Sequence, residues 1–372
     1  MQEMKKRRIV LASLLKPVND TRMFEKMGVS LVHTGLYEVH IIGSPSAADL
    51  HTQDIHFHPL PRFERLSAGR IAARIKVLRK VIKLKPELLI VNTHELLGVA
   101  ILIRILFGAI IVYDIQENYW KNILSTSAFP KLFRPVIAFF VRLKEWVASP
   151  LFSQFLLAEK CYADELGFIG KRYLIIENKC KVPGDFRRTP QPDFIQLVFT
   201  GTLAESTGVF GAIRLAEQLH KHEPKIRLTI VGYCAQPNVL RRIEKEVSQR
   251  AFISLIGGSE MVPHDTIMRT IAAANFGIVC YPMSPHIENK MPTKVYEYLA
   301  CQLPVLLQNH PPWAKMCAPC PAAIVIDFDQ TDAKAILEKI RISHFYSQAP
   351  QGVTWEGEEE KLKSAIRHVL TA

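Results

Sequence analysis

Short runs of aliphatic and β-branched residues recur along this chain, each closing on a polar or glycine-bearing loop before an amphipathic stretch. The unit over residues 276–307 constrains the fold most. Residues 276–280 form a short apolar run, and 281–291 a loop rich in Pro, Ser, His and Asn. Pro292 stands where a helix begins, because the first helical position needs no amide donor. Val295, Tyr296, Leu299 and Ala300 then share one helical face. Gln302-Leu303-Pro304 stops the helix, and residues 305–307 are the next buried strand. Strand, loop, helix and strand at this spacing specify a parallel pair. The helix N-terminus then faces the crevice beyond the carboxyl end of the first strand, where open α/β sheets take ligands. Free amides there favour phosphate. Lys294 adds charge in the first turn, and Glu297 places a carboxylate one turn further on. Phosphate donors beside a carboxylate suit a nucleotide, the carboxylate accepting from ribose hydroxyls.

The same alternation runs through both halves. In the first, a strand over 9–15 leads to a loop carrying Asp20-Thr21-Arg22, then a helix over 22–34 closed by Gly35, then a strand over 39–42. No G-x-G-x-x-G follows a strand, so a dinucleotide site is not expected there. Asp20 and Arg22 face the crevice, either as a helix cap beside a solvated Arg or as a binding pair. A strand over 88–91 ends in Asn92-Thr93-His94-Glu95, and one over 110–113 in Asp114-Ile115-Gln116-Glu117. Two successive strand ends would deliver His94, Glu95, Asp114 and Glu117 to one crevice, competing with simple capping and loop hydrogen bonding. Strands over 155–158 and 173–176 complete this half, and a proline-bearing linker spans 181–193.

The second half restarts with a strand over 195–199 and a turn from Thr200 and Gly201 to Thr207 and Gly208. Glycine in such a turn lets backbone amides approach a phosphate. Strands over 227–231, 253–256 and 324–327 alternate with helices over 209–221, 237–249, 266–274 and 331–341, and an amphipathic helix spans 355–370. The expected class is α/β: two doubly wound, Rossmann-like domains. They are expected at 1–185 and 186–350, with a closing helix in 351–372.

Charge is uneven. Residues 1–185 hold 27 Lys and Arg against 17 Asp and Glu, and residues 186–372 hold 20 against 18. The basic first half favours an anionic partner. A helix over 63–85 carries Arg65, Arg70, Arg74, Lys76, Arg79, Lys80 and Lys83 on one side, with Leu66, Ile71, Ile75, Leu78 and Ile82 expected to face the core. Residues 129–144 mix large apolar side chains with cations. Contact with an anionic membrane surface is the expectation, against an ordinary solvated face. Nucleic acid is not expected, because aromatic and basic residues do not alternate on a strand platform. No apolar run approaches the ~20 residues of a spanning helix, and the first strand is too short for a secretory signal. Seven scattered cysteines fit a reducing cytoplasm. Cys317 and Cys320 read as two buried thiols rather than half a zinc site.

The run Pro292-Thr293-Lys294-Val295-Tyr296-Glu297-Tyr298, followed by Ala300 and Pro304-Val305, resembles the donor-site helix of family 4 glycosyltransferases. The similarity is to the branch with Pro-x-Lys-x-x-Glu-Tyr. It extends from Ile9 to the C-terminus and is strongest at 113–118, 198–208 and 292–305. It implies the GT-B fold, with a central cleft and a C-terminal crossover helix. It also implies retaining transfer from a nucleoside diphosphate sugar, with no metal and no further cofactor. On this resemblance Glu297 holds the ribose, and Lys294, Lys290, Thr202 and the amides of Gly201 and Thr293 hold the diphosphate. Asn289 reads the sugar. Asp114 and Glu117 orient the acceptor or stabilise charge at the anomeric carbon. Asp20, Arg22, His94 and Gln116 contact the acceptor, and Asn178 matches the Asn that ends the first domain.

Several positions depart from the family. Gln116 stands where His is usual, and Thr202 and Thr207 replace two cations of the Gly-x-Leu-x-x-x-Lys-Gly loop. Asn289 takes the place of a hexose-binding Glu eight positions before Glu297, with Glu288 beside it. The expected activity is transfer to a hydroxyl of a glycan or polyprenyl-linked acceptor in surface polysaccharide synthesis, at the cytoplasmic membrane face. The alternatives are a nucleotide-sugar epimerase of the same fold and a non-catalytic binding subunit.

Overall fold

The computed structural model describes residues 6–46, 52–63, 67–125, 129–285 and 287–371. It divides into two units, one of residues 1–178 with 355–372 and one of residues 179–354.

In the first unit β1 (Arg7–Pro17) leads through a π-helical segment, Thr21–Gly28, into α1 (Val29–Val32) and β2 (Tyr37–Ser44). Next come β3 (Ile55–Pro59), α2 (Ala68–Leu84), β4 (Leu88–Val91), α3 (Leu97–Phe107), β5 (Ile110–Ile115), α4 (Tyr119–Ser125) and α5 (Arg134–Ala148). β6 (Gln154–Leu157), α6 (Tyr162–Glu165) and β7 (Tyr173–Ile175) complete the sheet. Its seven strands are all parallel, in the order β3-β2-β1-β4-β5-β6-β7. Strands buried on both faces need continuous apolar runs, and β4 is buried at all four positions.

The second unit comprises β8 (Ile195–Thr202), α7 (Val209–His222), β9 (Ile226–Tyr233), α8 (Pro237–Ser248), β10 (Ile253–Gly258), α9 (His264–Ala273) and β11 (Phe276–Val279). α10 (Thr293–Ala300), β12 (Val305–Gln308), α11 (Pro311–Cys317), β13 (Ala323–Ile326) and α12 (Ala333–Ile342) follow. Its six strands are parallel, in the order β10-β9-β8-β11-β12-β13. The last helix, α13 (Glu356–Thr371), returns to the first unit, where Leu362, Ile366 and Val369 join the cluster of Ile9, Leu11 and Val39. Trp355 Nε1 donates to Ser30 Oγ at 2.9 Å, and the Glu358 carboxylate accepts from the Glu177 amide at 3.1 Å.

In both sheets the strand order reverses beside the first strand, between β1 and β4 and between β8 and β11. These switch points open the crevices that topology offers to ligands. The loops at 18–22, 92–96, 200–208 and 281–292 end there.

Two sequence expectations are corrected. α2 begins at Ala68 rather than 63, with Arg65 and Leu66 outside the described residues. Its core stripe is Ala73, Val77 and Val81, all buried, while Ile71 and Ile75 are exposed. Small and β-branched residues fit against the sheet, and the larger isoleucines turn outward with the cations. Pro292 is the residue before α10 rather than its first position. The helices α3, α4, α5, α6 and α11 were not anticipated.

Candidate functional site

At the switch point of the second unit, β8 and β11 lie side by side. α10 is held against them by Tyr298. Its hydroxyl accepts from the Thr200 amide at 3.2 Å and lies 3.1 Å from Thr200 Oγ1. A Cβ on Gly277 would come within 2.5 Å of the Tyr298 ring, so glycine is required for this close approach. The loop before α10 is anchored by Trp313, whose Nε1 donates to the Lys290 carbonyl at 2.7 Å and whose indole meets Tyr281 edge-on.

This packing buries Lys294. Its side chain is 5% exposed, and its ammonium has no hydrogen-bond partner among the described residues. Instead it sits 3.7 Å from the centre of the Phe199 ring and 5.0 Å from that of Tyr281. Ring faces attract a cation but do not replace its water. Burial accordingly pushes the Lys294 pKa down to about 8, while Cys280 and then Glu297 pull the other way. Glu297 and Thr293 are half-buried, Lys290 likewise, and Asn289 is exposed. A desolvated ammonium at a helix start, with a carboxylate one turn on, is an arrangement short of an anion.

The turn after β8 is closed by one of its own threonines. Thr207 Oγ1 donates to the Thr202 carbonyl at 2.7 Å and accepts from the Ala204 amide at 3.1 Å, so it closes the loop on itself. Thr202 is exposed. Gly208, at φ +86°, packs so tightly that a Cβ would lie 2.0 Å from the Cys280 carbonyl oxygen. Gly201 has φ +94° and open space where a side chain would stand.

The candidates in the first unit are held by separate sets of hydrogen bonds and ion pairs. Asp114 is buried and accepts from Arg22 Nη2 at 2.6 Å, Arg22 Nε at 3.0 Å and Gln116 Nε2 at 2.8 Å. Arg22 is 2% exposed, not solvated, and its Nη1 has no partner among the described residues. Asp20 caps the helical segment, accepting from the amides of Arg22 and Met23 at 3.1 Å. Glu95 is paired with Arg70 at 2.7 Å and Arg74 at 3.4 Å. His94 Nδ1 lies 3.1 Å from the Lys144 ammonium. Because an ammonium only donates, Nδ1 accepts and Nε2 carries the hydrogen. Burial, with Lys144, Arg70 and Arg74 nearby, pushes His94 down to about 3, so it is a neutral donor at pH 7. Glu117 Oε2 accepts from Asn122 Nδ2 at 3.0 Å. The division arises because the residues of β4's loop turn towards α2 and α5 while Asp114 turns towards the loop after β1. The aromatic cradle of Lys294 and the Arg22–Asp114 pair were missed in the sequence, since each joins residues far apart in the chain.

Residues 185–342 match the family model described as Glycosyl transferases group 1. No curated protein matches the chain by sequence. Among solved structures, sucrose-phosphate synthase from Thermosynechococcus elongatus is 13% identical with a TM-score of 0.70, over 98% of this chain and 100% of that one. Anabaena HepE in complex with UDP-glucose is 12% identical with a TM-score of 0.62, over 98% and 99%. WaaG, a glycosyltransferase involved in lipopolysaccharide biosynthesis, is 12% identical with a TM-score of 0.62, over 98% and 90%. At these identities the likeness concerns the fold, which is GT-B.

Proposed function

From the match of residues 185–342 to the family model of group 1 glycosyl transferases, we propose that this chain moves a glycosyl group from a nucleoside diphosphate sugar to a hydroxyl, with retention and without a metal. The observation that carries the reading is Lys294, a buried ammonium without a hydrogen-bond partner at the start of α10. A diphosphate supplies the missing anion. The amides of Gly201 and Thr293 and the side chain of Lys290 add donors, Glu297 accepts from the ribose, and Asn289 meets the sugar. The acceptor oxygen bonds to the anomeric carbon as the bond to the diphosphate breaks, and the leaving phosphate oxygen takes the acceptor proton. No protein base is then required. Asp114, its acceptor capacity taken by Arg22 and Gln116, positions those two groups. His94 Nε2–H and Glu117 meet acceptor hydroxyls.

We assign the acceptor to the glycan or lipid-linked class, used at the cytoplasmic face of an anionic membrane. Among the described residues no helix is long and apolar enough to cross a membrane. α3 packs between α2 and α5, and these three helices expose Ile71, Ile105, Leu106, Phe139, Phe140 and Trp146. Arg79, Lys76 and Lys83 are exposed on α2. Large apolar side chains rimmed by cations suit an anionic bilayer. Sedimentation with vesicles tests this: binding should require anionic lipid and fall in Phe140→Glu and Trp146→Glu. Equal binding by these variants would exclude this face.

Calorimetry with UDP, GDP, ADP and CMP tests the donor site. One nucleotide should bind the wild type and lose most of its affinity in Glu297→Ala. A specific observation favours one other reading: Thr207 spends its hydroxyl inside its own loop, where the family places a phosphate-binding cation. If the folded chain binds none of the four nucleotides, a non-catalytic binding subunit is the better description.

A further inference from the structure

β2 and β3 pair in parallel at the edge of the first sheet, with His40 opposite His56 and Ile42 opposite His58. Alternate residues of a strand share a face. Glu38, His40, His56 and His58 therefore stand together on the face covered by α2. Glu38 Oε1 lies 3.0 Å from His56 Nε2 and 3.4 Å from His40 Nε2. The three donor atoms are all within 4.8 Å of one another. The His40 ring stacks on both neighbours, and its Nδ1 lies 3.0 Å from His58 Nε2.

We propose that Glu38, His40 and His56 form a binding site for a divalent transition-metal ion of the zinc type. His40 is 5% exposed, and its Nε2 is a buried nitrogen without a hydrogen-bond partner. In the tautomer whose Nδ1–H is directed to His58, the His40 Nε2 lone pair faces a carboxylate oxygen, and a cation fits between the two. Zinc bonds nitrogen and oxygen at about 2.0–2.2 Å, which sets neighbouring tetrahedral ligands roughly 3.3 Å apart. The two contacts of Glu38 Oε1 are already near that separation. His58 then plays the outer partner that fixes the ring of a metal-bound histidine, and Arg8 Nε, 3.3 Å from Glu38 Oε2, holds the carboxylate's other oxygen. His56 is half-exposed, which leaves an open path and room for water as a fourth ligand. Lys80 and Arg8 add like charge that weakens, without preventing, binding. The ion would tie the edge strand β3 to β2. None of its ligands belongs to the proposed donor or acceptor residues.

The test uses the full, untagged chain stripped with EDTA. Zinc chloride is titrated by calorimetry, and cobalt(II) is followed by its visible absorption. Wild type and the exposed-histidine control His33→Ala should take up one equivalent with equal affinity. His56→Ala, at a half-exposed position that folding tolerates, should lose at least ~10-fold in affinity and the cobalt band, and His58→Gln about 10-fold. Absence of saturable zinc binding, or binding that His56→Ala leaves unchanged, overturns the proposal.

Discussion

The ammonium of Lys294 lies 3.7 Å from the centre of the Phe199 ring, in a place where no carboxylate, carbonyl or hydroxyl of the described residues accepts its hydrogens. An uncompensated buried charge costs stability, so its presence is explained by what it binds. Lys294→Met should therefore raise resistance to urea by on the order of 1 kcal/mol or more. It should also weaken nucleoside diphosphate binding by roughly 10- to 100-fold, the worth of a charge-assisted hydrogen bond. A variant that is less stable and binds normally would assign Lys294 a purely structural part.

The same ammonium predicts a pH dependence. Its pKa in the folded chain is about 8, against 10.5 for an ordinary lysine. Between those values the unfolded chain keeps a proton that the folded chain has released. Lys294 therefore makes stability rise with pH across that window. Diphosphate affinity should move the opposite way, falling as pH passes through 8. Calorimetry and urea unfolding at several pH values would show both slopes, and Lys294→Met should flatten each.

Asp114 and Arg22 form a buried bidentate pair. Removing one partner leaves an uncompensated charge, so Asp114→Ala should cost about 3–5 kcal/mol in urea unfolding. The double variant Arg22→Met, Asp114→Ala should recover part of that loss. If Asp114→Ala unfolds no more easily than the wild type, the pair does not form in solution.

Gly208 and Gly201 separate backbone strain from collision. Both have positive φ, but a Cβ on Gly208 meets the Cys280 carbonyl whereas one on Gly201 meets open space. Gly201→Ala should cost about 1–2 kcal/mol from its left-handed backbone alone. Gly208→Ala should cost clearly more and disturb α7, whose first turn begins there. Thermal unfolding of the two variants side by side provides the comparison.

Much of the architecture was legible because it depends on local pattern. The buried runs of β1, β4, β5, β8 and β11 are short, apolar and closed by polar turns. Pairing them in parallel follows from the helix-length spacing between them. The donor-loop candidates around Lys294 and Glu297 emerged because a strand end and a helix start are adjacent in the chain. α2 shows where local pattern misleads. Leu78 and Ile82 do pack against the core cluster, yet Ile71 and Ile75 are exposed. A helical stripe of isoleucines does not say how far along the helix the sheet beneath extends.

The sequence by itself determined the class of fold, the order of most strands, and the loops that reach the two switch points. Those depend on periodicity and chain connectivity, which one dimension records. Only the tertiary structure decided that Asp114 is held by Arg22, that Lys294 is cradled by Phe199, and that Glu38 meets two histidines across a strand pair. Each of these rests on desolvation and on side chains brought together by strand register, and neither quantity exists until the sheet has formed.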